Sequence, residues 1–220
     1  MSAEKSFNLY KEYSMSQSYS LMLSHEANKH MYMKRTMDLV LSLIGAILAI
    51  PVIAIFSILI SIESPGSPFY LQERVGKNGK YFKVMKLRSM RLDAETGSGA
   101  QWAQKNDPRV TAIGAFIRKT RIDELPQLFN VLRGEMSIIG PRPERPIFTA
   151  QFNEEIPGFT DRLIVKPGLT GWAQVNGGYE ISPKEKLALD IYYINNMSLK
   201  LDVMILFKTV RVILTGEGAR

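Results

Sequence analysis

Residues Leu39 to Ile62 read LVLSLIGAILAIPVIAIFSILISI, 24 consecutive positions without a charged side chain. A helix of that length rises about 36 Å, enough to cross a hydrocarbon core of about 30 Å. Pro51 stands near its middle, where it removes one intrahelical hydrogen bond and kinks the helix. The carbonyl it frees needs a partner, and Ser42 and Ser57 are the nearby hydroxyls. Cations flank the run on both sides: Lys29, Lys34 and Arg35 before it, Arg74, Lys77 and Lys80 after it. The positive-inside rule therefore selects neither end. A helix bent at Pro51 that enters and leaves by one face suits this pattern, and on these residues alone a straight span also stays open.

Outward from the run, residues 1–31 form a polar tail, rich in Ser, Met, Tyr and Asn, without the apolar core of a secretory signal. Residues 32–63 make the membrane helix and 64–216 a catalytic-size domain. The chain of 220 residues is 45% hydrophobic and carries a net charge of +7, so it can pack a core while presenting a basic surface. That surface suits anionic lipid or phosphorylated substrates. Nucleic acid is excluded as the main partner, because the basic residues are dispersed and no reading motif is present. There is no cysteine, and the two histidines, His25 and His30, precede the apolar run. Thiolate chemistry, a histidine zinc site and a Ser-His-Asp triad in the main domain are thereby set aside. Acid–base or nucleophilic work falls to carboxylates, lysines, tyrosines or hydroxyls.

Beyond the turn-rich exit Glu63-Ser64-Pro65-Gly66-Ser67-Pro68, residues Phe69 to Met90 read as strand, turn, strand around Asn78-Gly79. Thr111 to Leu132 has helical period, broken by Pro126 with a boundary near Asp123. Gly134 to Pro146 is a Gly/Pro-rich stretch, 147–163 helical or irregular, and Lys166 to Tyr179 a glycine-rich loop. Two helices, about 183–197 and 199–214, close the chain. The last has an apolar stripe through Val203, Leu206, Phe207 and Val210, which suits either an interfacial helix or one packed on the core. The fold class is α+β and mostly helical: a re-entrant membrane helix plus a small catalytic domain with a β-hairpin and interfacial helices.

Four segments carry candidate chemistry. In Arg118-Lys119-Thr120-Arg121-Ile122-Asp123-Glu124, two adjacent acids follow three cations at a helix break. Such a site holds anions and keeps a carboxylate ionised to bind Mg²⁺ or attack phosphorus. The plainer alternative makes Asp123 a helix N-cap. In Gly140-Pro141-Arg142-Pro143, two prolines stiffen the backbone around a guanidinium, as a phosphate clamp requires, though a polar connector would read the same. In Lys83-Val84-Met85-Lys86-Leu87-Arg88, strand alternation puts Lys86 and Arg88 on one face, either a phosphate-binding or a solvated one. In Lys166-Pro167-Gly168-Leu169-Thr170-Gly171-Trp172, glycines permit close backbone approach to a ligand and Trp172 can stack on a base or enter the core.

Together with Lys34-Arg35-Thr36-Met37-Asp38, Gln72-Glu73-Arg74-Val75-Gly76 and Gly134-Glu135-Met136-Ser137-Ile138-Ile139, these segments, in this order, resemble the bacterial sugar transferase family, the monotopic phosphoglycosyltransferases, over roughly residues 32–216. The resemblance implies a re-entrant helix broken at Pro51 and a catalytic dyad of Asp123 and Glu124 that also holds Mg²⁺. It implies transfer of a sugar phosphate from a UDP-sugar to a polyprenyl phosphate, usually undecaprenyl phosphate, through a covalent aspartyl intermediate with release of UMP. Arg142 would grip the phosphates, helped by Arg88, Arg118, Lys86 and Arg121. The expected location is the cytoplasmic face of the bacterial inner membrane, and the chain resembles the short, stand-alone form. The resemblance leaves the sugar and any homo-oligomer undetermined. The competing reading is a membrane-anchored basic module without catalysis.

Overall fold

A computed structural model describes residues 25–96, 101, 107–177 and 181–215. The tail before residue 25 lies outside them. Helix α1, His25–Glu63, contains the whole apolar run and continues through Pro51 as one assigned element. It is the one helix among the described residues long and apolar enough to cross a membrane. Its buried positions, Asp38, Ser42, Ala46, Ala49, Ile53 and Ile60, recur at helical spacing on both sides of Pro51 and form one seam. The opposite surface is bare hydrocarbon, with Leu43, Ile47, Leu48, Ile50, Ile58 and Ile62 exposed. Neither serine serves the carbonyl freed at Pro51. Ser42 donates to the carbonyls of Asp38 and Leu39, and the buried Ser57 hydroxyl has no partner.

Both ends of α1 are fastened to the same domain. Near its start, Lys34 Nζ meets Asp202 at 3.2 Å, and Arg35 donates to the carbonyls of Val131 and Leu132 at 2.7 and 3.0 Å. Asp38 accepts from the Ser137 hydroxyl and the Ile138 amide, both at 2.9 Å. At its far end, Glu63 accepts from the Ile113 amide at 3.0 Å. Arg88 there donates to the carbonyls of Ser64 and Pro65, each at 2.7 Å.

Strands β1, Phe69–Val75, and β2, Tyr81–Leu87, form the expected antiparallel hairpin, in register from Phe69 opposite Leu87 to Val75 opposite Tyr81. Its turn spends Asn78 and Gly79 at φ of 56° and 76°, the left-handed region those two residues tolerate best. Helices α2, Ala112–Lys119, and α3, Gln127–Arg133, are the two pieces expected of the periodic stretch, with Pro126 at the start of the second. Then come β3, Ser137–Ile139; α4, Pro146–Glu155; β4, Gly168–Thr170; α5, Trp172–Asn176; α6, Pro183–Asn195; and α7, Leu199–Thr215. The core gathers Leu87, Ile117, Val131, Met136, Ile139, Tyr193 and Ile205 beneath α1.

Two regions depart from expectation. β3 and β4 pair in parallel where the chain reads as loops, and α5 stands where the glycine-rich loop was expected. Strands of three residues show no alternation, so their signal is steric. A Cβ on Gly168 would lie 2.1 Å from the amide nitrogen of Gly140. Gly168→Ala is therefore expected to destabilise the domain by about 3 kcal/mol or more, at the upper end of overpacking costs. Thermal unfolding checks it, and an unchanged melting temperature would refute the close approach.

Candidate active site

Thr111 caps α2 by accepting from the Gly114 amide at 3.0 Å, and α2 ends at Lys119. Arg121 then takes a left-handed conformation, φ 60°, a costly turn for a side-chain-bearing residue. It swings the chain into a single 3₁₀ turn, Ile122–Glu124, that carries both acids. Pro126 opens α3 immediately afterwards. The N-cap alternative for Asp123 fails: Arg121 and Pro126 occupy the two cap positions, and neither turn has a side-chain cap. Asp123 is instead a carboxylate only 7% exposed.

Glu124 is held from two directions. Lys86, on β2, places Nζ 2.8 Å from Oε1. Arg142 brings its two terminal nitrogens onto the same carboxylate, one close to Oε1 and one 3.5 Å from Oε2. The acids consequently divide. Burial pushes Asp123 up to about 6, assisted by the Glu124 charge and opposed by Lys86, Arg142 and Arg118. Burial would raise Glu124 too, but Arg142 and Lys86 outweigh it and hold that carboxyl well below the ordinary range, with Arg121 adding to the pull. One acid is a locked anion, and its neighbour is a buried, more basic carboxylate. Environments that separate two carboxylates in this way set up different chemical roles.

The structure thus brings Lys86, Arg118, Arg121 and Arg142 around Asp123 and Glu124. Arg88 is placed elsewhere. It is 5% exposed and spends its terminal nitrogens on Ser64 and Pro65, at the exit of α1, where it anchors that helix. On Glu124, Lys86 and Arg142 already share Oε1, while Oε2 lies 3.5 Å from the second Arg142 nitrogen. Among the described residues no group of three or more acids or histidines converges as a metal cage. The buried Asp123 carboxylate fits a cation such as Mg²⁺, which needs one or two carboxylates together with substrate phosphates.

Sequence reasoning missed what stands behind Arg142. Its loop is held at four successive carbonyls: Pro141 by the Gly168 amide at 2.9 Å, Arg142 by Arg162 at 2.8 Å, Pro143 by Arg74 at 3.0 Å and Glu144 by the Val75 amide at 3.0 Å. The Glu144 side chain, buried, pairs with Lys186 and lies 3.7 Å from Arg74. Arg74 lies inside a quoted motif and Glu144 directly after one, whereas Arg162, Lys186 and Asp190 sit in stretches that carry no motif.

A small helical domain that grips an apolar helix at both ends, and beside it seats two acids of unlike basicity among four cations, defines an enzyme for anionic substrates at a membrane surface. The model of the bacterial sugar transferase family matches residues 29–216, and the chain belongs to that family. A Bacillus subtilis protein, provisionally named an undecaprenyl-phosphate N-acetylgalactosaminyl 1-phosphate transferase, is 64% identical over 74% of this chain and 90% of its own length. The UDP-N-acetylgalactosamine-undecaprenyl-phosphate N-acetylgalactosaminephosphotransferase of Aeromonas hydrophila is 52% identical over 86% of this chain and 45% of its own length. The UDP-glucose:undecaprenyl-phosphate glucose-1-phosphate transferase of Escherichia coli is 42% identical over 81% of this chain. This chain thus spans nearly all of the first relative and less than half of the other two.

Proposed function

We propose that this chain transfers a sugar 1-phosphate from a UDP-sugar to undecaprenyl phosphate at the cytoplasmic face of the bacterial inner membrane, releasing UMP. The observation that carries this is the divided pair: Asp123 buried beside a Glu124 that Lys86 and Arg142 hold ionised. An Asp123 carboxylate oxygen attacks the β-phosphorus of the donor, and the bond from that phosphorus to the bridging oxygen breaks, so the electron pair leaves with UMP. The phosphosugar is then an acyl phosphate on Asp123. An oxygen of the lipid phosphate attacks the same phosphorus, the bond to Asp123 breaks, and the carboxylate returns. Arg142, Arg118 and Arg121 surround the phosphoryl oxygens as charge accumulates on them. Mg²⁺ held by Asp123 and the diphosphate would supply neutralisation of the leaving charge.

The membrane reading rests on the two-ended fastening of α1. A straight span would carry one end about 30 Å from the domain that holds the other. With Arg35 and Glu63 both tied to the domain and cations on both flanks, α1 dips into one leaflet and returns, with Pro51 as the yielding point. That geometry holds the acid pair near the depth of the lipid phosphate. The sugar of the donor is N-acetylgalactosamine on this reading, as in the names of two relatives. Purified protein with Mg²⁺ and undecaprenyl phosphate should release UMP from UDP-N-acetylgalactosamine faster than from UDP-glucose or UDP-galactose. No release from any donor of a broad panel would leave the anchored, non-catalytic module standing instead.

A further inference from the structure

Arg142 is the clamp on Glu124, and its own position depends on a buried structure behind it. Pro141 and Pro143 fix the φ angles on either side but offer no donor. The donor to the Arg142 carbonyl comes from Arg162, 2% exposed, on the 3₁₀ segment Phe159–Ile164. The same guanidinium sends Nε to Asp190 at 2.9 Å and lies 5.1 Å from the centroid of the Phe159 ring. Asp190 is on α6, one turn after Lys186, and Lys186 pairs with Glu144 two residues beyond Arg142. One face of α6 therefore reaches the Arg142 loop twice, through Arg162 and through Glu144.

A buried ion pair is a weak source of stability, since apolar side chains of similar volume do as well or better. What the pair does supply is direction. A planar guanidinium satisfies a carboxylate and a carbonyl at once and in a fixed plane, which an ammonium cannot do. We propose that Arg162, oriented by Asp190, is a positioning residue of the transfer reaction that acts through the main-chain carbonyl of Arg142. The inference rests on the transferase reading given above. Arg162 does not touch Glu124 or Asp123 and has no role in binding the donor directly. Its work is to keep the Arg142 guanidinium where the transferring phosphoryl group develops charge, a placement for which about 1 Å of slip costs on the order of a hundredfold.

Removing Arg162 alone would strand the Asp190 charge, so the informative variant replaces both partners. Arg162→Met with Asp190→Leu deletes the pair and the hydrogen bond to Arg142 together. The full-length chain, purified in lipid nanodiscs, is assayed for UMP release and for thermal unfolding. The expected result is a melting temperature close to wild type, kcat lowered about 10- to 100-fold, and KM for the UDP-sugar within about threefold, the pattern of an interaction made chiefly in the transition state. In an Arg142→Ala background the same pair replacement should cost less than about twofold more, because the group it positions has gone. Should the pair replacement not fold, Arg162→Lys keeps a charge beside Asp190 and loses the fork, and the same loss of kcat is expected. A folded variant that turns over at the wild-type rate, or losses that multiply in the Arg142→Ala background, would overturn the positioning role and leave the transferase reading intact. A wild-type chain that releases no UMP would overturn both.

Discussion

Asp123→Asn is expected to abolish UMP release, lowering kcat at least about a thousandfold, and at neutral pH to make the protein more stable. The two effects have one origin. The amide keeps the shape of the carboxyl group but has no anionic oxygen to attack phosphorus, so no acyl phosphate forms. The same loss of charge removes a burden on the fold. Burial raises the Asp123 pKa from 3.8 to about 6, so the ionised side chain is less comfortable in the folded protein than in the unfolded one. Once the group is ionised in both states, that upward shift disfavours the folded protein.

The sign determines how this varies with pH. Between the unfolded value and the folded one, the folded protein binds the extra proton, so stability from this group is highest in acid and declines as pH rises through 6. Glu124 works the opposite way: its folded pKa is depressed, so its contribution is present above the ordinary carboxylate range and lost as pH falls through the folded value. Substituting Asn at 123 removes the first dependence, together with the charge that faces Glu124. With divalent cations chelated, the melting temperature of the variant should exceed that of wild type by several degrees at pH 7.5 and by much less at pH 4.5. A gap that stayed constant, or widened in acid, would mean that Asp123 is not the strained carboxylate described here. Full catalytic rate in the variant would remove it from the nucleophile role whatever the stability showed.

The apolar run, the hairpin and the acid pair were legible in the sequence because each has a local cause. Twenty-four uncharged residues can hardly be anything but a membrane or core helix, Asn78-Gly79 accommodates two left-handed residues, and Pro126 must end one helix and can begin another. The β3–β4 pair was hidden because its cause is not local. Gly140 and Gly168 are 28 positions apart, and only the backbone approach between them shows why both lack a side chain. The same distinction explains the site. Lys86 lies on β2 and Arg88 just past its end, and they differ in what the fold brings opposite them: the turn with Glu124 in one case, the exit of α1 in the other. Residue type and spacing announced a basic surround and could not rank its members.

That ranking is what a comparison of Arg142→Ala with Arg88→Ala tests. Arg142 contributes to Glu124 one half of a two-cation grip, and its truncation leaves Lys86 as the close partner. The Arg142 loop would still be tied by the Arg74 and Val75 donors, so the fold should persist. Removing a preorganised donor from a developing oxyanion costs about 10²- to 10³-fold in rate, and kcat should fall by that amount. Arg88→Ala is expected to behave in the reverse manner. It leaves the Ser64 and Pro65 carbonyls without their donor and frees the end of α1, which should lower the melting temperature by several degrees for a cost of about 2–3 kcal/mol. The folded fraction should keep most of its turnover, and its loss should be relieved by added lipid that re-seats the helix. Equal losses of kcat in the two variants at matched folded fraction would place Arg88 with Arg142 at the phosphates, and would mean that its bonds to Ser64 and Pro65 give way when the donor binds.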